Sequence, residues 1–243
     1  MDATPDNDEA AAVRARYARR AGLGDRYHPL LVNVLLARQQ RERALCALLR
    51  AHAGFDLAAL RVTEVGCGHG DNLLELLRLG FAPAHLTGIE LLAERHAQAR
   101  ERLPAATRLV LGNAVEADVV PGSQDIVLQS TVFSSLLDDA FQQRLAGAMW
   151  RWLRPGGAVL WYDFAFDNPR NPDVRGVPLA RVRALFPQGR IQARRVTLAP
   201  PLARAAVRAH PALHRLLDVL PWLRTHRLCW IAKPESSEQG VRS

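Results

Sequence analysis

Residues 62–70, Val-Thr-Glu-Val-Gly-Cys-Gly-His-Gly, run an apolar strand directly into a loop of alternating glycines. Glycine lets backbone approach a ligand because no side chain intervenes, so a strand–loop–helix turn of this kind suits a nucleotide-like molecule. Spacing narrows the choice. The dinucleotide fingerprint places its third glycine after two intervening residues. That position is Asp71 here, and the glycines fall instead at Gly66, Gly68 and Gly70. No Lys-Ser/Thr pair follows the loop, so it is not a P-loop. Glu64, inside the strand, puts a carboxylate near the loop and suits a ligand that carries positive charge. Residues 86–90, Leu-Thr-Gly-Ile-Glu, read as the next strand and end in a second carboxylate, Glu90, twenty residues after Gly70. An acid at that point accepts hydrogen bonds from both ribose hydroxyls.

Other residues could move protons or hold a second substrate. His69 lies in the loop itself and could act as a base near neutral pH. Asp163 is an acid inside the run Trp161-Tyr162-Asp163-Phe164. Buried acids are rare unless paired, so it reads equally as a structural carboxylate or as a general base for a hydroxyl. In open α/β sheets ligands lie beyond the carboxyl ends of the strands. That rule makes Leu91, Gln129 and Ser130 cofactor contacts, and Thr131, Phe133 and Trp161 contacts of the second substrate. Tyr27, before a long helix, could close over the site, with His28 read as packing. Residues 168–176, Asn-Pro-Arg-Asn-Pro-Asp-Val-Arg-Gly, are too rich in proline for helix or strand. They are expected to form a rigid loop over the active face. Its Arg170 and Arg175 present planar forks suited to carboxylate or phosphate, whereas Asp173 reads as a structural partner.

Four motifs in order carry a family resemblance: Glu64 to Gly70, Glu90, Gly112-Asn113-Ala114, and Leu153-Arg154-Pro155-Gly156-Gly157. Over about residues 60–165 the chain resembles the class I S-adenosylmethionine-dependent methyltransferases, of the small-molecule type that includes bacterial surface-glycan and secondary-metabolite enzymes. The resemblance implies a Rossmann-like α/β fold: a mostly parallel seven-stranded sheet with an antiparallel last strand and helices on both faces. It implies S-adenosyl-L-methionine as cofactor, held by Glu64, Gly66, Cys67, Gly68, Gly70, Glu90, Asn113 and Ala114. Asn113 stands where the family usually has an acid that meets the adenine amino group, and its amide oxygen can still accept that bond. Cys67 is read as filling space. The absence of an Asn-Pro-Pro-Tyr stretch after the fourth strand and of a Pro-Cys pair argues against base methylation.

The elements that must position these residues follow from periodicity. Helices are expected over 10–22 and 30–53. Strand and helix then alternate: strand 61–65, helix 71–79, strand 86–90, helix 92–102, strand 107–111, strand 125–130, helix 138–152 and strand 158–164. After these come helix 179–186, strand 190–199, a helical stretch 202–220 broken at Pro211, and strand 226–232. Alternation of this kind specifies a mostly parallel sheet covered on both faces. The chain divides as an acidic disordered tail over 1–9 and one domain over 10–243. Within that domain 10–58 is a helical lid, 60–165 the cofactor core, and 166–243 the acceptor-side loop, helical insertion and closing strands.

At 243 residues and 49% apolar content the chain can build a substantial core. No apolar run is long enough to span a membrane, and the N-terminus has no signal-peptide core. Three scattered cysteines exclude a disulfide framework or a zinc site, and a cytoplasmic setting is expected, with no metal. The formal charge is +8 and Lys233 is the single lysine. A basic surface favours an acidic partner: an anionic or lipid-linked small acceptor, or at most peripheral contact with an anionic membrane. No nucleic acid is expected, because no basic stripe is interleaved with aromatics. Rival readings are a non-catalytic cofactor-binding protein, an RNA methyltransferase and a nucleotide-dependent oxidoreductase. Oligomeric state is not legible.

Overall fold

The computed structural model describes residues 5–19, 28–167 and 171–235. Seven strands form one sheet in the order β3-β2-β1-β4-β5-β7-β6. They are β1 (Val62–Val65), β2 (Leu86–Glu90), β3 (Arg108–Leu111), β4 (Gln124–Ser130), β5 (Leu153–Phe164), β6 (Arg190–Leu198) and β7 (Arg224–Ala232). β7 runs antiparallel to both of its neighbours and the other pairs are parallel, as the resemblance implied. The helices are α1 (Pro5–Arg19), α2 (Val32–His52), α3 (Asp71–Arg78), α4 (Ala93–Arg102), α5 (Asp139–Trp152), α6 (Leu179–Leu185), α7 (Pro200–Ala209) and α8 (Pro211–Asp218).

Strand side chains divide by parity between two cores, as strands buried on both faces must. Val127, Val159, Trp161, Cys229 and Ile231 face one core, which α5 and α6 complete with Leu145, Met149, Val182 and Leu185. Ile126, Leu128, Leu160, Leu228 and Trp230 face the other, against Leu48 of α2 and Leu73 and Leu76 of α3.

Two expectations are corrected. The acidic tail over 1–9 is not a disordered segment throughout, because α1 begins at Pro5. Glu9 is buried there, where it pairs with Arg16 at 2.6 Å and accepts a hydrogen bond from Leu137 N. Leu153 to Gly157, which precede the strand expected over 158–164, are already part of β5. Its register against β4 shifts between Gln124 and Ile126, a bulge that absorbs the two glycines. The helical insertion breaks just before Pro211, as expected, at His210, whose Nδ1 accepts from Ala212 N and caps α8.

Gly88 shows how tightly β2 is seated behind the loop. A Cβ there would lie 2.7 Å from Cys67 Sγ and 2.9 Å from Leu109 and Leu73 methyls. Gly88→Ala should therefore destabilise the fold by about 1–3 kcal/mol, the usual cost of overpacking, read as a lower midpoint in urea unfolding. An unchanged midpoint would refute this packing.

Candidate active site

A cavity of about 740 Å³ opens at the carboxyl ends of β1, β2, β4 and β5, roofed by α1, α2 and α7. Its floor is the glycine loop. Cys67 N donates to Ile89 O at 3.0 Å, which ties the loop to β2. Gly66 has φ +65, and a Cβ there would strike Val132 at 2.6 Å. Gly68 has φ +56 and open space where a Cβ would be, so its backbone is bared to the cavity. Cys67 is buried against Gly88, and burial pushes its thiol up, which fits a space-filling role.

Glu90 is the central polar group. Its Oε2 accepts from Gly68 N at 2.8 Å and its Oε1 from Leu92 N at 2.8 Å. Each carboxylate oxygen has further lone-pair capacity, and the side chain lines the cavity. A vicinal diol laid across Glu90 would therefore find two acceptors already oriented. Leu91, Asn113, Ala114, Ser130, Thr131 and His69 line the same cavity. Asn113 Oδ1 caps the short helix after it by accepting from Val115 N at 3.1 Å.

Several expected site residues are not on the wall. Glu64 is fully buried beneath the loop. It accepts from Asn72 Nδ2 at 2.5 Å, and burial pushes its carboxyl up to about 8. It supports Asn72, which does line the cavity. Gly70 caps α3 with φ +83 and meets Leu103. Gln129 is buried, accepting from Val132 N and donating to Tyr162 O. Phe133 and Trp161 pack against each other at a tilt in the core, centroids 4.6 Å apart. Arg175 pairs with Asp139 and donates its backbone N–H to Ser134 O, which straps the proline-rich segment across the start of α5. Asp173 pairs with Arg19 at 2.7 Å. Tyr27 and Arg170 lie outside the described residues.

Asp163 is the main correction. It is 0% exposed, and its oxygens accept from Ser134 N at 3.1 Å and from its own neighbour Phe164 N at 2.8 Å. Burial pushes its carboxyl up to about 6. Parity explains the placement: Asp163 shares the Trp161 face, while Tyr162 and Phe164 share the face that reaches the cavity.

That second face carries residues the sequence reading missed. The Tyr162 ring lies parallel to His226 (centroids 4.9 Å apart, 9° between planes), and Phe164 leans on His226 at 4.2 Å. Tyr162 Oη bonds Thr197 Oγ1 at 2.8 Å, and Arg41 lies 5.1 Å from the Tyr162 ring. Arg41 also donates to Asn72 and Glu75. His226 Nδ1 lies 3.1 Å from Thr225 Oγ1. Burial, with the Arg41 charge adding to it, pushes the imidazole down to about 4, so the ring is neutral at ordinary pH. Arg38 and Arg204 reach the cavity from α2 and α7. The signal that could have exposed these residues is pairing: β7 lies beside β5, with Phe164 opposite His226. That contact is invisible until the antiparallel partner is known.

Comparisons with known proteins point to methyl transfer. Residues 62–157 match the family described as "Methyltransferase domain". A trans-aconitate 2-methyltransferase of Afipia carboxidovorans is 32% identical over 71% of this chain and 64% of its own length. A malonyl-[acyl-carrier protein] O-methyltransferase of Chlorobium phaeovibrioides is 32% identical over 60% of this chain and 57% of its own. The chain thus spans 40–64% of the length of the curated relatives it matches. Among solved structures, the 1,6-didemethyltoxoflavin-N1-methyltransferase of Burkholderia thailandensis, bound to 1,6-didemethyltoxoflavin and S-adenosylhomocysteine, superposes with a TM-score of 0.62 at 20% identity, covering 97% of this chain and 92% of that one. Residues 62–157 are thus a methyltransferase domain, and the fold around them is similar to that of the class I S-adenosylmethionine-dependent methyltransferase family. S-adenosylmethionine is the methyl donor of that family, and the oriented Glu90 oxygens beside the bared Gly68 backbone fit its ribose. Among the described residues no helix is long and apolar enough to cross a membrane, and no cluster could hold a metal.

Asp163→Ala should leave the Ser134 and Phe164 N–H groups without acceptors in the core. The expected loss is about 1–3 kcal/mol of stability for each buried donor, by urea unfolding, with S-adenosylhomocysteine affinity unchanged by calorimetry. A stable variant that has lost only turnover would return Asp163 to the chemistry.

Proposed function

We propose that this chain methylates an oxygen or nitrogen of a small-molecule acceptor that carries an acidic group. The single observation that carries the reading is the continuity of one cavity from Glu90 to Tyr162, His226, Arg38 and Arg204. S-adenosylmethionine, when bound, supplies an electrophilic methyl on a sulfonium and leaves as a neutral thioether. Glu90 binds the ribose hydroxyls through oxygens already fixed by Gly68 and Leu92 N–H groups. The Gly66–Gly68 backbone admits the rest of the molecule, and Leu91, Asn113 and Ala114 flank it.

The chain's remaining work is alignment of the acceptor and exclusion of water. Thr131, Tyr162 and Phe164 supply the wall at the ends of β4 and β5. His226 replaces Asp163 as the proton acceptor, with His69 on the loop as the second candidate. The His226 ring is held flat against Tyr162 with Nδ1 at Thr225, which directs the remaining task to Nε2. A weak base suffices here, because the proton becomes strongly acidic only as the acceptor atom acquires the methyl group.

Arg38 and Arg204 meet no acid among the described residues, whereas Arg41 and Arg102 are paired with Glu75 and Asp71. Two uncompensated guanidinium groups at one cavity favour a carboxylate or phosphate on the acceptor. Support also comes from the relatives named for trans-aconitate and malonyl-[acyl-carrier protein].

Two measurements test the reading. Glu90→Ala should weaken S-adenosylhomocysteine binding by about 1–3 kcal/mol, the range for a charged hydrogen-bond partner, and Gly68→Val should abolish it; unchanged dissociation constants would end the cofactor assignment. With a labelled methyl donor and a panel of hydroxylated or aminated acids, His226→Phe should keep donor affinity and lose about 10²–10⁴-fold in kcat. Retained kcat would shift the role to His69 or to an acceptor that needs no base.

A further inference from the structure

Nine of the thirteen large apolar side chains exposed among the described residues lie on two neighbouring parts of the fold. Leu30, Leu31, Val32 and Leu35 lead into and open α2. Leu202, Leu213, Leu216, Val219 and Trp222 follow along α7, α8 and the turn after them, with Leu216, Val219 and Trp222 each about two-thirds exposed (67%, 69% and 67%). α2 packs against α7, and α7 against α8. The first turns of α2 and α7 also line the cavity, through Asn33 and Val34 and through Pro200, Ala203 and Arg204. The apolar side chains therefore gather beside the cavity's roof. Clustering of this kind marks an interaction surface, whereas single exposed leucines do not.

The charges on the same elements choose the partner. Arg204, Arg208 and Arg215 are exposed and meet no acid among the described residues. The one acid between residues 200 and 224 is Asp218, and Arg224 takes it at 3.4 Å. A second copy of the chain would bring the same arginines to this face and repel it. A surface of anionic headgroups above an apolar interior satisfies both the arginines and the leucines.

We infer that α7, α8 and the start of α2 dock this protein on an anionic lipid surface with the cavity's rim against the headgroups. The acceptor then arrives as an amphiphile whose polar, acidic end enters the cavity while its apolar part stays in the lipid. Docking stands independently of the catalytic reading, and the statement about the acceptor rests on it.

The test is co-sedimentation of the full chain with vesicles of phosphatidylglycerol and phosphatidylcholine, against phosphatidylcholine alone. The anionic vesicles should bind the chain at least about tenfold better at low salt and release most of it at about 0.5 M NaCl. Leu216→Asn/Trp222→Ala and Arg208→Gln/Arg215→Gln should each lose about tenfold in partitioning. Both should keep S-adenosylhomocysteine affinity, which shows that they are folded. Failure of the wild type to bind anionic vesicles at low salt would overturn the proposal, as would binding indifferent to both variants. Sedimentation velocity showing a dimer that Leu216→Asn/Trp222→Ala breaks would also overturn it and make the face an interface between copies. Loss of S-adenosylhomocysteine binding in the wild type would instead strike the catalytic reading and leave the vesicle result standing.

Discussion

The Glu90 carboxylate is the point on which the site depends. The carboxyl ends of parallel strands leave backbone donors to be satisfied, and Glu90 satisfies two of them, from the loop after β1 and from the entry to α4. One side chain thereby ties the loop after β1 to the end of β2 and the entry to α4. It also leaves acceptor capacity on both oxygens, facing the cavity. Binding and folding call for the same geometry here. A ribose that accepts this arrangement costs the protein no reorganisation, because backbone amides hold the carboxylate in place before the ligand arrives.

From that point the sheet sorts its side chains by parity. Trp161 and Asp163 share one face of β5 and enter the core completed by Phe133 and Phe186. Tyr162 lies on the other face, where its hydroxyl reaches Thr197 and its ring meets His226 and Arg41. A shift of one residue separates a structural carboxylate from the wall of the active site. Asp163 was a reasonable candidate because an acid in an aromatic run has to be explained. The explanation is local: it accepts the N–H groups of the turn after β4 and of its own strand end.

Local motifs made the glycine-loop and Glu90 half of the cavity legible in the sequence. Gly66, Gly68 and Glu90 need only a strand, a tight turn and the next strand to fall into place, and each of those is encoded within thirty residues. The alternation of elements, the parallel sheet and the break at Pro211 were readable for the same reason. The other half of the cavity depends on contacts between remote segments. His226 becomes a cavity residue because β7 inserts between β5 and β6. Arg38 and Arg204 do so because α2 and α7 close over the sheet. Arg175 shows the opposite error: a cation in a proline-rich loop looked free to bind an anion, but Asp139 already holds it. Composition cannot tell a paired arginine from an unpaired one.

Backbone strain marks the junction of the two halves. Thr131 and Thr197 are the two non-glycine residues with positive φ among the described residues, at +57° and +66°, and both line the cavity. Such conformations cost about 1–3 kcal/mol and persist only where surrounding bonds overdetermine them. Thr131 N donates to Tyr162 O at 2.8 Å, while Ser134 and Ser135 hydroxyls donate to its carbonyl. Thr197 N donates to the buried Gln40 of α2, and its hydroxyl holds Tyr162. Tyr162 is thus gripped through its carbonyl by one strained threonine and through its hydroxyl by the other. The wall of the cavity at Tyr162 is fixed by β4, β6 and α2 together, so its position does not wait for a ligand.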